Sequence, residues 1–105
     1  MATKTITVSA SACNPSLTQG NRSVDSVHFI QAGSSAPTQV TITAAPGSTV
    51  DPSTLFGTTT CTVDANASGP NVYVIQASAD LGNYSIDTPP GTRATLNAGT
   101  IGVIG

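Results

Sequence analysis

The residues of this chain that could take part in acid–base or nucleophilic chemistry are grouped around its single histidine. Asp25, Ser26 and His28 lie within one four-residue stretch. On a strand, Ser26 and His28 would project from the same face, so a serine nucleophile and a histidine base could touch. Asp25 would project from the opposite face, and no oxyanion-binding loop is evident. We therefore expect His28 to have a packing role, no catalytic residue, and a protein that is not an enzyme.

A second group of oxygen-bearing side chains, Asp64, Asn66 and Ser68, alternates along the chain before Gly69. This spacing fits the first half of a calcium-binding loop, in which oxygen ligands alternate and a glycine makes the sharp turn. The twelfth position, which supplies a bidentate carboxylate in such loops, is Ile75. A β-turn rich in Asp, Asn and Gly has the same composition for backbone reasons alone. We expect no cofactor and keep Asp64, Asn66 and Ser68 as the candidate calcium ligands.

Cys13 and Cys61 are the only two cysteines, and a lone pair 48 positions apart has no metal-ligand spacing. A disulfide between them would close a long loop and stabilise the fold by about 4 kcal/mol. Two buried thiols are the alternative. In a first strand that runs unbroken from Thr3, Cys13 would lie on the face opposite Ile6, which leaves a disulfide between copies as a third possibility. We predict that both cysteines are oxidised, to each other or to neighbouring copies.

Charged side chains make up only 8% of the 105 residues, with three bases and five acids. Three scattered cations cannot neutralise a run of phosphates, so we expect no nucleic-acid partner. No apolar stretch approaches the length of a membrane-spanning helix, and the low positive charge argues against an electrostatic membrane anchor. The first residues alternate like a strand, and no signal peptide is visible. These features predict one compact domain without membrane insertion.

An internal duplication is the most informative pattern in the sequence. Residues 72–77, the longest apolar strand-like run, repeat four of the six residues found 45 positions earlier at 27–32. The segments that follow also correspond, including the dipeptides Pro46-Gly47 and Pro90-Gly91. Self-similarity of this kind indicates that one supersecondary unit has been duplicated.

The predicted fold is all-β: a single antiparallel β-sandwich of seven strands, immunoglobulin-like or jelly-roll-like, with an internal pseudo-duplication. The domain spans residues 1–105. We expect a leading strand at 3–12, a first repeat unit at 24–65 and a second at 71–104. Because residues 72–75 are apolar on both faces, they are expected to form a central strand covered on both sides.

The expected function follows from the absence of any convergent acid, base and nucleophile. We expect a non-enzymatic structural subunit that assembles in many copies, as a virion capsid or decoration protein or as a surface filament subunit. Its partners would be copies of itself and a larger capsid or surface lattice, on a virion or an extracellular surface. The alternative is a secreted adhesin, a β-sandwich module that binds carbohydrate or protein.

The contacts between copies are expected at the chain's strand edges. A small open sandwich exposes unpaired strand edges, which monomeric proteins usually blunt with charge. The segments 2–8 and 101–105 carry only one charged residue between them, and a long polar loop is expected at 14–23. The candidate assembly contacts in these three segments are Lys4, Ile6, Leu17, Ile101 and Val103.

Overall fold

The computed structural model describes residues 2–10, 12–33, 36–88 and 95–105. Within these residues nine strands form two sheets, and one four-residue helix lies between two strands of the same sheet. The strands are β1 (Ala2–Val8), β2 (Cys13–Asn14), β3 (Leu17–Asn21), β4 (Asp25–Gln31), β5 (Gln39–Ala44), β6 (Thr60–Thr62), β7 (Val72–Val74), β8 (Gly82–Thr88) and β9 (Thr95–Ile104); the helix is α1 (Ser53–Phe56). The four-stranded sheet has the order β2-β1-β4-β7, and the five-stranded sheet has the order β3-β9-β8-β5-β6.

The two sheets share one hydrophobic core, which confirms the all-β, sandwich-like prediction. Alternate side chains of β1 and β4 point inward from the four-stranded sheet, and those of β5, β8 and β9 point inward from the five-stranded sheet. The helix α1 adds two buried side chains to this core. The core includes Ile6, Val8, Val27, Phe29, Val40, Ile42, Leu55, Phe56, Ile75, Tyr84, Ile86, Ile101 and Val103.

The strand count and strand directions differ from the prediction of seven antiparallel strands. Nine strands are present in the described residues, and two pairs are parallel, β1 with β4 and β3 with β9. Both sheets are therefore mixed. Hydrophobic alternation determines which face of a strand is buried, but it does not determine the neighbouring strand or its direction.

The leading strand is shorter than the predicted 3–12, because the chain reverses after Val8. The backbone N–H of Ser9 donates to the carbonyl of Ala12 at 2.9 Å, and the hydroxyl of Ser9 donates to the same oxygen at 3.0 Å. Cys13 then pairs with Val8 across an antiparallel bridge and is buried. The turn resets the alternation, which is why an unbroken strand predicted the wrong face for Cys13.

The predicted loop at 14–23 contains strand β3. Its sequence, Leu-Thr-Gln-Gly-Asn, has little intrinsic preference for a strand. The strand forms because it pairs in parallel with residues 100–104 of β9, which are distant in the sequence. Strands β4 and β5, which follow one another within the first predicted repeat unit, lie in different sheets.

The second copy of the repeated run does not form a central strand. Only Val72–Val74 is strand, and β7 lies at the edge of the four-stranded sheet. Val72 and Val74 are 42% and 44% exposed, so their side chains face solvent instead of a second layer. An apolar run cannot by itself distinguish a strand buried on both faces from an edge strand with exposed valines.

The strand pairing between the two repeat units has a twofold pattern. In β4 and β7, Val27 pairs with Tyr73 and His28 with Val72, so a shift of 45 residues exchanges the two pairs. In β5 and β8, Ile42 pairs directly with Ile86. This pattern is what a duplicated unit would produce; the duplication itself stays a prediction.

Candidate functional site

One side of the sandwich is open along a groove between β1 and β3, the neighbouring strands of the two different sheets. The groove has a volume of about 630 Å³ and is open to solvent. It is lined by Thr3, Lys4, Thr5, Pro15, Leu17, Thr18 and Gln19. Most of these residues are polar, and one carries a charge.

The edge of β1 presents unpaired backbone groups to this groove. On one side β1 pairs with β4 along its whole length, and the carbonyl of Val8 accepts the Ala32 N–H at 2.8 Å. On the other side, the short strand β2 covers only Thr7 and Val8. Because backbone groups alternate in direction along a strand, Thr3 and Thr5 turn their N–H and C=O groups toward the groove. No described strand pairs with them there.

The edge of β3, in the five-stranded sheet, also presents unpaired backbone groups to the groove. The Thr100 N–H donates to the Ser16 carbonyl at 2.8 Å, so Ser16 and every second residue after it face β9. Leu17 and Gln19 therefore turn their backbone groups toward the groove. The side chain of Leu17 is also 53% exposed. The two open edges together make the groove a place where an extended chain could pair.

Thr18 and Lys4 also line the groove. Thr18 is only 6% exposed, and its hydroxyl has no hydrogen-bond partner among the described residues. Lys4, half-buried on β1, lies near Asp25. The pKa of Asp25 lies below its ordinary value, chiefly because the Asn21 N–H donates to its carboxylate at 2.8 Å and partly because of the Lys4 charge; burial opposes both effects. The groove can offer hydrogen bonds and one positive charge, but no acid–base pair.

The histidine is held by an acid that the sequence analysis did not pair with it. His28 Nε2 lies 2.8 Å from Oδ2 of Asp64, and both residues are buried. Asp64 also accepts the backbone N–H of Asn71 at 2.9 Å and its side-chain amide at 2.7 Å. These bonds, first that of the Asn71 side chain and then that of His28, hold the pKa of Asp64 below its ordinary value. Asp25 accepts the backbone N–H groups of Ala2 and Asn21 and does not pair with His28. The partner of His28 is therefore Asp64, which is itself held by Asn71.

The candidate calcium ligands do not converge on a common point. Both carboxylate oxygens of Asp64 are directed to His28 and Asn71. The side-chain oxygen of Asn66 instead accepts from the backbone and the hydroxyl of Ser68. A β-carbon at Gly69 would overlap the Asp64 side chain, so the glycine is required by close packing. Within the described part of the chain, no three His, Cys, Asp or Glu side chains gather in a possible metal site.

Both cysteines are free thiols in the core, contrary to the predicted disulfide. Cys13 lies on β2 beside Gly99, where a β-carbon would come within 2.7 Å of the Cys13 side chain. Cys61 lies on β6, at the far edge of the five-stranded sheet. Burial raises the pKa of Cys13 to about 11 and that of Cys61 to about 12. Neither thiol is exposed enough to form a bond with a neighbouring copy.

The five predicted assembly contacts divide into two groups. Lys4 and Leu17 line the groove. Ile6, Ile101 and Val103 are buried in the core, because alternation turns them inward, and they cannot contact a neighbour in the folded chain. Thr18 and Gln19 lie in the predicted contact loop 14–23 but were not singled out, because no local pattern distinguishes them from other polar residues.

Neither models of known protein families nor curated proteins match this chain, so its function is inferred from geometry. The helix α1 has four residues, and no helix in the described ranges is long and apolar enough to cross a membrane.

Proposed function

We propose that this protein is a non-enzymatic structural subunit that assembles in many copies, with strand addition at the groove between β1 and β3 as the joining contact. Such a subunit would form part of a virion capsid, decorate one, or build a surface filament, and would work on a virion or an extracellular surface. The observation that carries the proposal is that two open strand edges, one from each sheet, face the same groove.

Strand addition uses backbone groups that the fold leaves unpaired. The edges at Thr3, Thr5, Leu17 and Gln19 present alternating donors and acceptors, which are a template for another chain. Monomeric proteins usually protect such edges with several charges, a bulge or a covering loop. Here Lys4 supplies the one charge among the residues that line the groove. An edge with so little protection favours pairing with a neighbour.

The groove is better suited to bind a peptide strand than a sugar. Carbohydrate sites commonly stack a sugar ring on an aromatic side chain, and no aromatic residue lines the groove. Phe29, Phe56 and Tyr73 instead pack on one another, with ring centroids 5.5 to 6.4 Å apart. The groove therefore favours strand addition over the carbohydrate-binding adhesin alternative.

The sharpest test removes one groove-facing N–H without disturbing the fold. Thr5→Pro deletes a donor that points to the groove, whereas Lys4 and Ile6, its neighbours, make the hydrogen bonds to β4. We expect the unmodified protein to form multimers by light scattering and electron microscopy, and Thr5→Pro to remain monomeric with an unchanged circular dichroism spectrum. Thr5→Ser, which keeps the N–H and the hydroxyl, is the matched control and should assemble normally.

A protein that stays monomeric at high concentration and beside its natural partners would refute the proposal. Saturable binding of a glycan or a protein by that monomer would then establish the adhesin alternative.

A further inference from the structure

We infer that the strand which pairs with β1 is β7 of a second copy, so that the copies join head to tail through their four-stranded sheets. This inference rests on the proposed assembly function and specifies its contact.

No strand in the described residues pairs with the outer edge of β7, and the exposed side chains of this strand are apolar. The Ile75 N–H donates to the Asp25 carbonyl at 3.0 Å, and the Ile75 carbonyl accepts the Ser23 N–H at 2.8 Å. The backbone groups of Ile75 therefore face β4 and the residues just before it. Because directions alternate, Val74 turns its backbone N–H and C=O outward. The side chains of Val72 and Val74 are both exposed on the outer face of the sheet. The outward N–H and C=O groups of β7 could therefore form backbone hydrogen bonds with the edge strand of another sheet.

The strand directions at the two edges of this sheet are complementary. β1 runs parallel to β4, whereas β7 runs antiparallel to β4. A second copy placed beside the first in the same orientation would therefore set its β7 antiparallel to β1. Antiparallel pairs form well-aligned hydrogen bonds and are somewhat more stable per residue than parallel pairs.

The register across the sheet brings suitable residues together. One row of partners runs Thr5–His28–Val72, and the next runs Thr3–Ser26–Val74. Continuing these rows into a second copy sets Val72 beside Thr5 and Val74 beside Thr3. The Val72 N–H donates to the Pro70 carbonyl at 3.0 Å, so Val72 brings only its C=O, whereas Val74 brings both groups. Valine opposite threonine is a pair of β-branched side chains that suits an antiparallel sheet.

The five-stranded sheet does not offer an equivalent edge on that side. In β6, the Thr60 N–H donates to the Thr58 hydroxyl at 3.3 Å, and the Thr62 N–H donates to the Tyr73 hydroxyl at 2.7 Å. Its outward donors are thus already used within the chain. A contact between two different surfaces, β1 and β7, is heterologous, so it produces a ring or an open filament instead of a closed dimer.

Cross-linking of engineered cysteines tests this arrangement. Thr5→Cys and Val72→Cys each place a thiol on the outer face, and a bismaleimide can join them without reaching the buried native cysteines. We expect a mixture of the two single variants to yield cross-linked dimers, and the double variant to yield a ladder of multimers on a denaturing gel. Each single variant alone should remain monomeric on that gel. Thr5→Cys mixed with Thr41→Cys, an exposed position on β5, is the control for random collision.

The outcomes separate this inference from the proposed function. Dimers from Thr5→Cys alone would show a twofold β1–β1 contact and overturn the inference, while the assembly function stands. Multimers in light scattering without cross-links between Thr5→Cys and Val72→Cys would also overturn the β1–β7 contact and leave the assembly function standing. Monomers in every experiment would overturn both.

Discussion

The backbone N–H of Thr62 donates a hydrogen bond of 2.7 Å to the hydroxyl of Tyr73, which joins the edge strand of one sheet to the edge strand of the other. The Tyr73 ring is fixed by contacts with Phe29 and Phe56, at centroid distances of 6.3 and 5.5 Å. On the same side, Asp64 pairs with β4 through Phe29 and Gln31. This side of the sandwich is therefore bridged within the chain by contacts between its two edge strands.

Replacing Tyr73 with Phe tests the bridge. The substitution keeps the ring contacts but leaves the Thr62 N–H without its acceptor, so we expect the free energy of unfolding to fall by about 1 kcal/mol. Urea denaturation measures the loss, and amide hydrogen exchange should become faster at Thr62. Unchanged stability together with unchanged exchange at Thr62 would contradict the bridging role.

The local part of the fold could be predicted from sequence, and the non-local part could not. Alternation in β1 correctly placed Ile6 and Val8 on the face that the core buries, because a period of two is a property of the strand itself. Strand β3 was missed because its residues have low strand preference and its partner β9 lies about 80 residues away. The exposed position of β7 depends on the sheet order, which no local pattern records.

The candidate site shows the same division. Lys4 was predicted as a contact because its segment carries so little protecting charge, and Leu17 because it lies in a long polar loop. Thr18 and Gln19 of the same loop were not singled out, since the groove exists only where the edges of two sheets come together. The partner of His28 is Asp64, 36 positions away, and not the nearby Asp25. Proximity in the sequence was a poor guide to this hydrogen bond.

The carboxylate of Asp64 should make stability depend on pH in the acidic range. Because its pKa is lowered in the folded protein, mainly by the Asn71 side chain, the unfolded chain takes up the proton first. The stabilisation is present above the unfolded pKa of about 4 and is lost as the pH falls through the folded value. We expect the free energy of unfolding to decrease as the pH falls below about 5, and to decrease less steeply in Asp64→Asn. Equal slopes in urea denaturation would contradict this; Asp25, whose pKa is also lowered, contributes to the slope that remains in the variant.

The two cysteines should be unreactive in the folded protein. Burial raises both pKa values, to about 11 for Cys13 and about 12 for Cys61, so almost no thiolate forms near neutral pH. We expect a thiol reagent at about pH 8 to modify neither residue in the native chain and both residues in denaturant. Electrophoretic mobility should be the same with and without reductant. Rapid modification of the native protein, or a reductant-dependent shift, would show that the thiols are exposed or oxidised.

The unpartnered hydroxyl of Thr18 should cost the isolated chain stability. A buried polar group without a hydrogen bond costs about 1 to 3 kcal/mol, so Thr18→Val, which keeps the shape and removes the hydroxyl, should raise the free energy of unfolding by about 1 kcal/mol. The measurement is urea denaturation of Thr18→Val beside the unmodified protein at the same concentration. Thr41→Val, at an exposed strand position, is the control and should change stability little. A loss of stability in Thr18→Val would mean that the hydroxyl is hydrogen-bonded in the folded monomer.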